Sequence, residues 1–195
     1  MTSLGQILSN QGDAAGAEKL FREALEMKRR FLGDGHTDIT PALISLAQEL
    51  GKAGKLDEAE PLFREVVAIR RNRLGDAHPG LAVDLLNLAW LLGKKGELAE
   101  AEALHQEACA ISDKAHGANH WRSGYCRNYH GGFLAKQGRY DEAEELLLDS
   151  YAVLRDTLGP EHERTESPVK ELVKLYEAWG KPQKAAEFRA LLPAG

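Results

Sequence analysis

A register of 42 residues runs through the whole chain. Gly12, Gly54, Gly96, Gly138 and Gly180 are spaced by 42, and so are Ala17, Ala59, Ala101, Ala143 and Ala185. His36, His78, His120 and His162 keep the same period, and no insertion or deletion breaks the phase. A fixed period of this length means that one supersecondary unit has been copied. A single copy cannot bury its own apolar face, so the copies must stack and cover one another. That excludes a core gathered at one centre.

Each copy reads as two helices. Leu43, Leu46, Ala47 and Leu50 share one helix face, and Leu85, Leu88, Ala89 and Leu92 repeat that stripe. A glycine then ends the first helix, because it tolerates the left-handed backbone of a helix stop. The second helix starts near Asp57, Ala99 or Asp141 and carries Ala59, Leu62, Phe63 and Val66 in the second copy. The loops after it, LGDGH, LGDAHP and LGPEH, are punctuated by Gly and Pro. A histidine recurring in such a loop is suited to hydrogen-bond the backbone and hold the turn. Histidines 42 residues apart lie too far apart in a stack to share one metal.

The remaining composition narrows the class. Twenty-five Lys and Arg against 30 Asp and Glu give a net charge of -5. Nucleic-acid proteins carry a basic excess, so no nucleic-acid partner is expected. Cys109 and Cys126 are too few for a disulfide framework. No apolar run reaches the ~20 residues of a membrane span, so no membrane partner is expected. The opening MTSLGQILSNQGD is neither a signal nor an Arg-rich transit peptide, and the expected location is cytoplasmic. GxSxG, a Walker loop and paired catalytic carboxylates are all missing, so no enzyme and no cofactor are expected. GKAGK at residues 51–55 is a turn repeated as GKKGE.

Leu46-Ala47, Leu50, Gly54, Ala59, Phe63 and Val66 resemble the tetratricopeptide repeat, and the 42-residue length with LGDAHP resembles its kinesin-light-chain type. HWRSG, GGFLAKQGRYDEAE and LYEAWGKPQKAAEFRALL are similar to bacterial arrays found C-terminal to serine/threonine kinases. The resemblance implies an all-α fold, a right-handed superhelical solenoid of stacked antiparallel helix pairs. About five repeats are expected over a single array, 1–195, in units near 1–37, 38–79, 80–121, 122–163 and 164–195. The first is incomplete, with only Leu4, Gly5 and Leu8 in register before Gly12.

Residues at i, i+4 and i+8 line one helix face. Ile44, Gln48 and Lys52 form such a line. Leu86, Trp90 and Lys94 repeat it, Asn128, Gly132 and Lys136 follow, and Lys170, Lys174 and Ala178 close it. Val83, Asn87, Tyr125 and Tyr129 flank it. The resemblance places this line on the concave face, where peptides dock. The recurring lysines read as a basic rail, or as ordinary cations at helix C-termini. Trp90, Tyr125 and Tyr129 are of the types enriched at binding hot spots. The expected ligand is a protein or peptide segment, acidic or extended, with an apolar anchor and near-micromolar affinity, ~8 kcal/mol.

Three columns depart from the pattern. His105 stands where Phe63 does, Arg127 in the column of Leu85, and His130 in that of Leu88. With Cys126 at i, i+4 to His130 and Cys109 nearby, a Cys/His metal site is conceivable. No CxxC or HExxH supports it, and the expectation is no metal but a polar, hydrogen-bonded junction. In the last copy Val169, Leu172, Val173, Tyr176 and Leu192 continue the core, and Lys184, Glu187 and Arg189 suit an exposed cap. The alternative to a peptide binder is a structural spacer or self-association piece of a larger bacterial kinase-like signalling protein. The expected state is then a monomer or a weak homodimer through the incomplete N-terminal repeat.

Overall fold

The computed structural model describes residues 2–193, which form two compact units divided between Ala101 and Glu102. The first unit holds α1 (Thr2–Asn10), α2 (Ala14–Leu32), a 3-10 turn (Thr37–Ile39), α3 (Thr40–Lys52), α4 (Leu56–Leu74) and α5 (Pro79–Lys95). α6 (Leu98–His116) begins in the first unit and runs into the second, which continues with α7 (Trp121–Lys136), α8 (Tyr140–Leu158), α9 (Glu163–Ala178) and α10 (Pro182–Arg189). No strand occurs among the described residues.

Both glycine columns act as stops. Gly12, Gly54, Gly96, Gly138 and Gly180 all take positive φ, and Gly33, Gly75, Gly117 and Gly159 do so after the second helices. An L side chain is strained there, which is why glycine keeps the period. The loop histidines are helix caps. The Nδ1 atoms of His36, His78, His120 and His162 accept from the backbone N–H of Asp38, Gly80, Arg122 and Arg164 at 3.1–3.2 Å. Each satisfies a donor that a helix start leaves orphaned, as the sequence implied.

In the first unit α1 packs on α2, α2 on α3, α3 on α4 and α4 on α5. Phe21, Leu43, Leu46, Ala47, Leu50, Phe63, Val66, Leu85 and Leu88 are almost wholly buried. A Cβ at Gly5 would come within 2.6 Å of the Phe21 ring, so glycine there lets α1 close on α2. Arginines on one second helix reach glutamates 36 residues on: Arg22 to Glu58 at 2.7 Å, Arg29 to Glu65 at 2.5 Å and Arg64 to Glu100 at 2.8 Å. Such exposed pairs contribute under about 1 kcal/mol each, but they fix the register of neighbouring hairpins.

In the second unit α7 packs on α8 and α9, and α9 on α8 and α10. Its apolar core is Leu134, Ala143, Leu147, Leu172, Leu175, Tyr176 and Ala185. α7 is rich in small and polar residues because it lies close to α8. A Cβ at Gly131 would sit 2.8 Å from Leu147, and Ser150 Oγ donates to the Gly124 carbonyl at 2.7 Å. Arg127 does not pack as Leu85 does. Its guanidinium bonds Asp113 at 3.0 Å, Asp149 at 3.1 Å and the Ala118 carbonyl at 2.8 Å. In the last hairpin Val169, Leu172, Val173 and Tyr176 are buried, while Leu192 is only partly covered and Lys184, Glu187 and Arg189 are exposed.

Candidate functional site

In the first unit the candidate face is built by α3 and α5. Ile44, Asn87 and Trp90 are half-buried, and Gln48, Lys52, Val83 and Lys94 are exposed. Leu86 is buried at 3% exposure, so it belongs to the core and offers a ligand no surface. It lies beside Leu85, which is buried too; α5 packs on α4 and, through Trp90, on Gly51 of α3. Gln48 Nε2 donates to Asn87 Oδ1 at 3.4 Å, which joins the two helices through their amides. The Trp90 ring lies on Gly51, where a Cβ would approach it to 2.8 Å. Lys94 Nζ sits 4.5 Å over the Trp90 ring and donates to the Gly51 carbonyl at 3.4 Å. Trp90 is thus a wedge between α3 and α5, roofed by its own lysine.

The second unit repeats the arrangement on α7 and α9. Tyr129 is 40% exposed and Tyr125 half-buried; their hydroxyls bond at 2.9 Å and their rings lie 4.7 Å apart. Burial first, then the bond to Tyr129, raises the Tyr125 phenol above its ordinary value. Asn128 is buried, and its Nδ2 donates to Ser167 Oγ at 2.9 Å. It ties α7 to α9 and is withdrawn from a ligand.

The lysines are mostly compensated. Lys52 lies 3.5 Å from Glu49, Lys170 2.7 Å from Glu166 and Lys174 2.7 Å from Glu171. Lys52 also donates to Ser9 Oγ at 3.3 Å, and Ser9 donates to buried Glu49 at 2.7 Å. Lys136 is exposed without an ion pair among the described residues. Uncompensated arginine lies elsewhere. Arg122 and Arg164 stack on Trp121 at 4.6 and 4.4 Å from its ring centroid, with no carboxylate partner among the described residues. Trp121 falls four residues before Tyr125 and eight before Tyr129, so the same helical spacing contained the signal.

The polar junction is closed, and its histidines are not hydrogen-bonded as the sequence suggested: His105 Nδ1 and His130 Nε2 are buried without a partner. His105 and His130 are buried, stacked at 5.6 Å and 4°. Phe133 packs on His105 at 4.9 Å. Burial, then the charges of His130 and Lys136, pushes His105 down to about 3, and burial lowers His130 too. Cys126 is buried and Cys109 partly so, both as free thiols. No three His, Cys, Asp or Glu side chains among the described residues converge to hold a metal ion.

The pairing of helices through a capped turn, repeated in one register, is the arrangement of a known family. The profile described as tetratricopeptide repeat matches residues 1–72, 50–114 and 126–188. The chain belongs to the tetratricopeptide-repeat family. A search of curated proteins finds no match. Among solved structures it is similar to a Podosopora anserina putative kinesin light chain with nearly identical TPR-like repeats, solved in two forms. The form carrying a point substitution is 26% identical at a TM-score of 0.79, over 97% of this chain and 92% of that one. The other form is 25% identical at 0.77, over 97% and 90%. BtubC (BKLC) from P. vanneervenii shares the fold at 22% identity and a TM-score of 0.76, over 96% and 77%. The tetratricopeptide fold supports a protein-interaction module. No helix among the described residues is long and apolar enough to cross a membrane.

Proposed function

We propose that this tetratricopeptide protein is a non-enzymatic module that binds a peptide segment of a partner protein on the first-helix faces of its hairpins. The observation that carries the reading is the pair of aromatic sites on those faces. Trp90 is wedged between α3 and α5 under Lys94, and the Tyr125–Tyr129 pair is accessible on α7. Rigid aromatic area beside amide groups is what hot spots use. In the first unit Gln48, Asn87, Trp90, Val83 and Lys94 offer the contact. Tyr125, Tyr129, Lys136, Lys170 and Lys174 offer it in the second. Ile44 supports the first set, and Leu86 and Asn128 hold the helices beneath.

The ligand is acidic, with an apolar anchor. The lysines paired with Glu49, Glu166 and Glu171 set only a weak field, so the acidic preference comes chiefly from Lys94, Lys136, Arg122 and Arg164. A peptide-library selection on the chain tests this, with Trp90→Ala and Lys94→Glu alongside. Enrichment of acidic, aromatic-anchored peptides that both variants lose is the expected result. No enrichment by a folded protein would refute the reading and favour the alternative, a spacer or self-association piece of a larger signalling protein.

A further inference from the structure

Three columns of the repeat that are buried in the second and third hairpins are exposed in the first. Leu4 is 52% exposed, whereas Leu46 and Leu88 in its column are buried. Ile7 is 52% exposed, whereas Glu49 and Leu91 are buried. Met27 is 45% exposed, whereas Ile69, Ile111 and Val153 are buried. Phe31, one helical turn beyond Met27, is 81% exposed. The outward face of α1 and α2 is apolar.

The charges on that face are equally unmatched. Glu65, in the column of Glu23, receives Arg29 at 2.5 Å. Glu23 itself has no ion pair among the described residues, and neither has Arg30. Glu23, Met27 and Arg30 lie at i, i+4 and i+7, on adjoining faces of α2. When two copies of α2 cross antiparallel about a two-fold axis beside Met27, Glu23 of each falls opposite Arg30 of the other. Leu20 and Phe31 lie on either side of Met27 and meet in the same exchange. The stripe is self-complementary, which is the condition for an isologous interface.

We infer that the outward face of α1 and α2 is a homodimerisation surface that binds the same face of a second copy. Met27 lies near the two-fold axis, Leu4, Ile7 and Phe31 supply apolar contact, and Glu23–Arg30 pairs fix the register. The peptide faces take no part in it. An isologous contact uses the same face on both copies, so it closes as a dimer and does not propagate.

Sedimentation equilibrium of the full chain, from low to high micromolar concentration, tests the inference. The mass is expected to rise from the 21.4 kDa of one chain towards twice that value. Met27→Glu should weaken association at least ~10-fold, as burying an unpaired charge does, with its circular dichroism unchanged. Glu23→Arg and Arg30→Glu should each weaken it, and the double exchange should restore it. A folded chain that stays monomeric throughout would overturn the proposal and assign the face to a different occupant. Association that Met27→Glu leaves intact would place the interface elsewhere and overturn it. Association that the double exchange fails to restore would overturn the two-fold register. Peptide binding by the monomeric Met27→Glu variant is expected to persist, so the two functions fail separately.

Discussion

His105 makes the second unit sensitive to acid. It occupies the column of Phe21, Phe63 and Leu147, all almost fully buried, and is itself 2% exposed. Burial pushes it down from 6.5 to about 3. Above pH 6.5 the ring is neutral in both the folded and unfolded states. Below that, the unfolded chain takes up a proton that the fold excludes, so stability is lost as pH falls from 6.5 towards 3. The slope from this one group approaches 1.4 kcal/mol per pH unit, and the loss at pH 5 is about 2 kcal/mol. Such a loss is a large part of the margin of an ordinary domain. His130 is shifted the same way and adds to it. His105→Phe restores the ring found at Phe63 and removes a buried Nδ1 that has no hydrogen-bond partner. Urea unfolding of both proteins across pH 7.5 to 4.5, followed by circular dichroism, checks the argument. Carboxylates contribute equally to the two, so the difference isolates the imidazole. The variant should lose about one proton's worth of slope and hold its neutral-pH stability. Equal slopes would show that His105 is protonated within the fold and would refute the reasoning.

Other consequences follow from single contacts. Gly51→Ala places a Cβ against the Trp90 ring; a loss of about 1–3 kcal/mol is expected in urea unfolding, with weaker peptide binding. His78→Ala removes the cap of α5, and His78→Asn replaces its acceptor. The alanine variant should lose about 1 kcal/mol and the asparagine variant much less, read as thermal midpoints. Arg70 bonds the buried Asp84, whose carboxyl burial already raises. Arg70→Met strands that carboxylate and should cost roughly 3 kcal/mol in chemical unfolding, with Asp84→Asn in the same background recovering part of it.

The hairpins were legible because their signals are periodic and mutually consistent. Glycines stop helices, histidines cap the next ones and leucines at helical spacing fill the interface between them. The polar junction was legible as a place, since Arg127 breaks a column that is otherwise apolar and His105 stands in that of Phe21, Phe63 and Leu147, but not as a hydrogen-bonded one, because the buried Nδ1 of His105 and Nε2 of His130 find no partner. The accessible face was harder to read. A helix packed on two neighbours buries a wider arc than its leucine stripe, which is why Leu86 is covered. Asn128 lies one residue from exposed Tyr129 but turns to Ser167. The compensation of Lys52, Lys170 and Lys174 lay in the sequence as carboxylates three or four residues away. Trp121 is the first residue of α7, and its stacking depends on Arg122 beside it and on Arg164 from the following hairpin, which no local pattern brings together.

We propose above that the first-helix faces bind a peptide, through Trp90 in the first unit or through the tyrosine pair in the second. Isothermal titration of one library-selected peptide tests it most directly, against the wild-type chain, Trp90→Ala, Tyr129→Ala and Phe31→Ala as a control on the other face. The account predicts a loss of about tenfold or more, ~1.4 kcal/mol, in one or both aromatic-face variants and none in the control. Undiminished affinity in both folded aromatic-face variants, or a loss confined to Phe31→Ala, would contradict it.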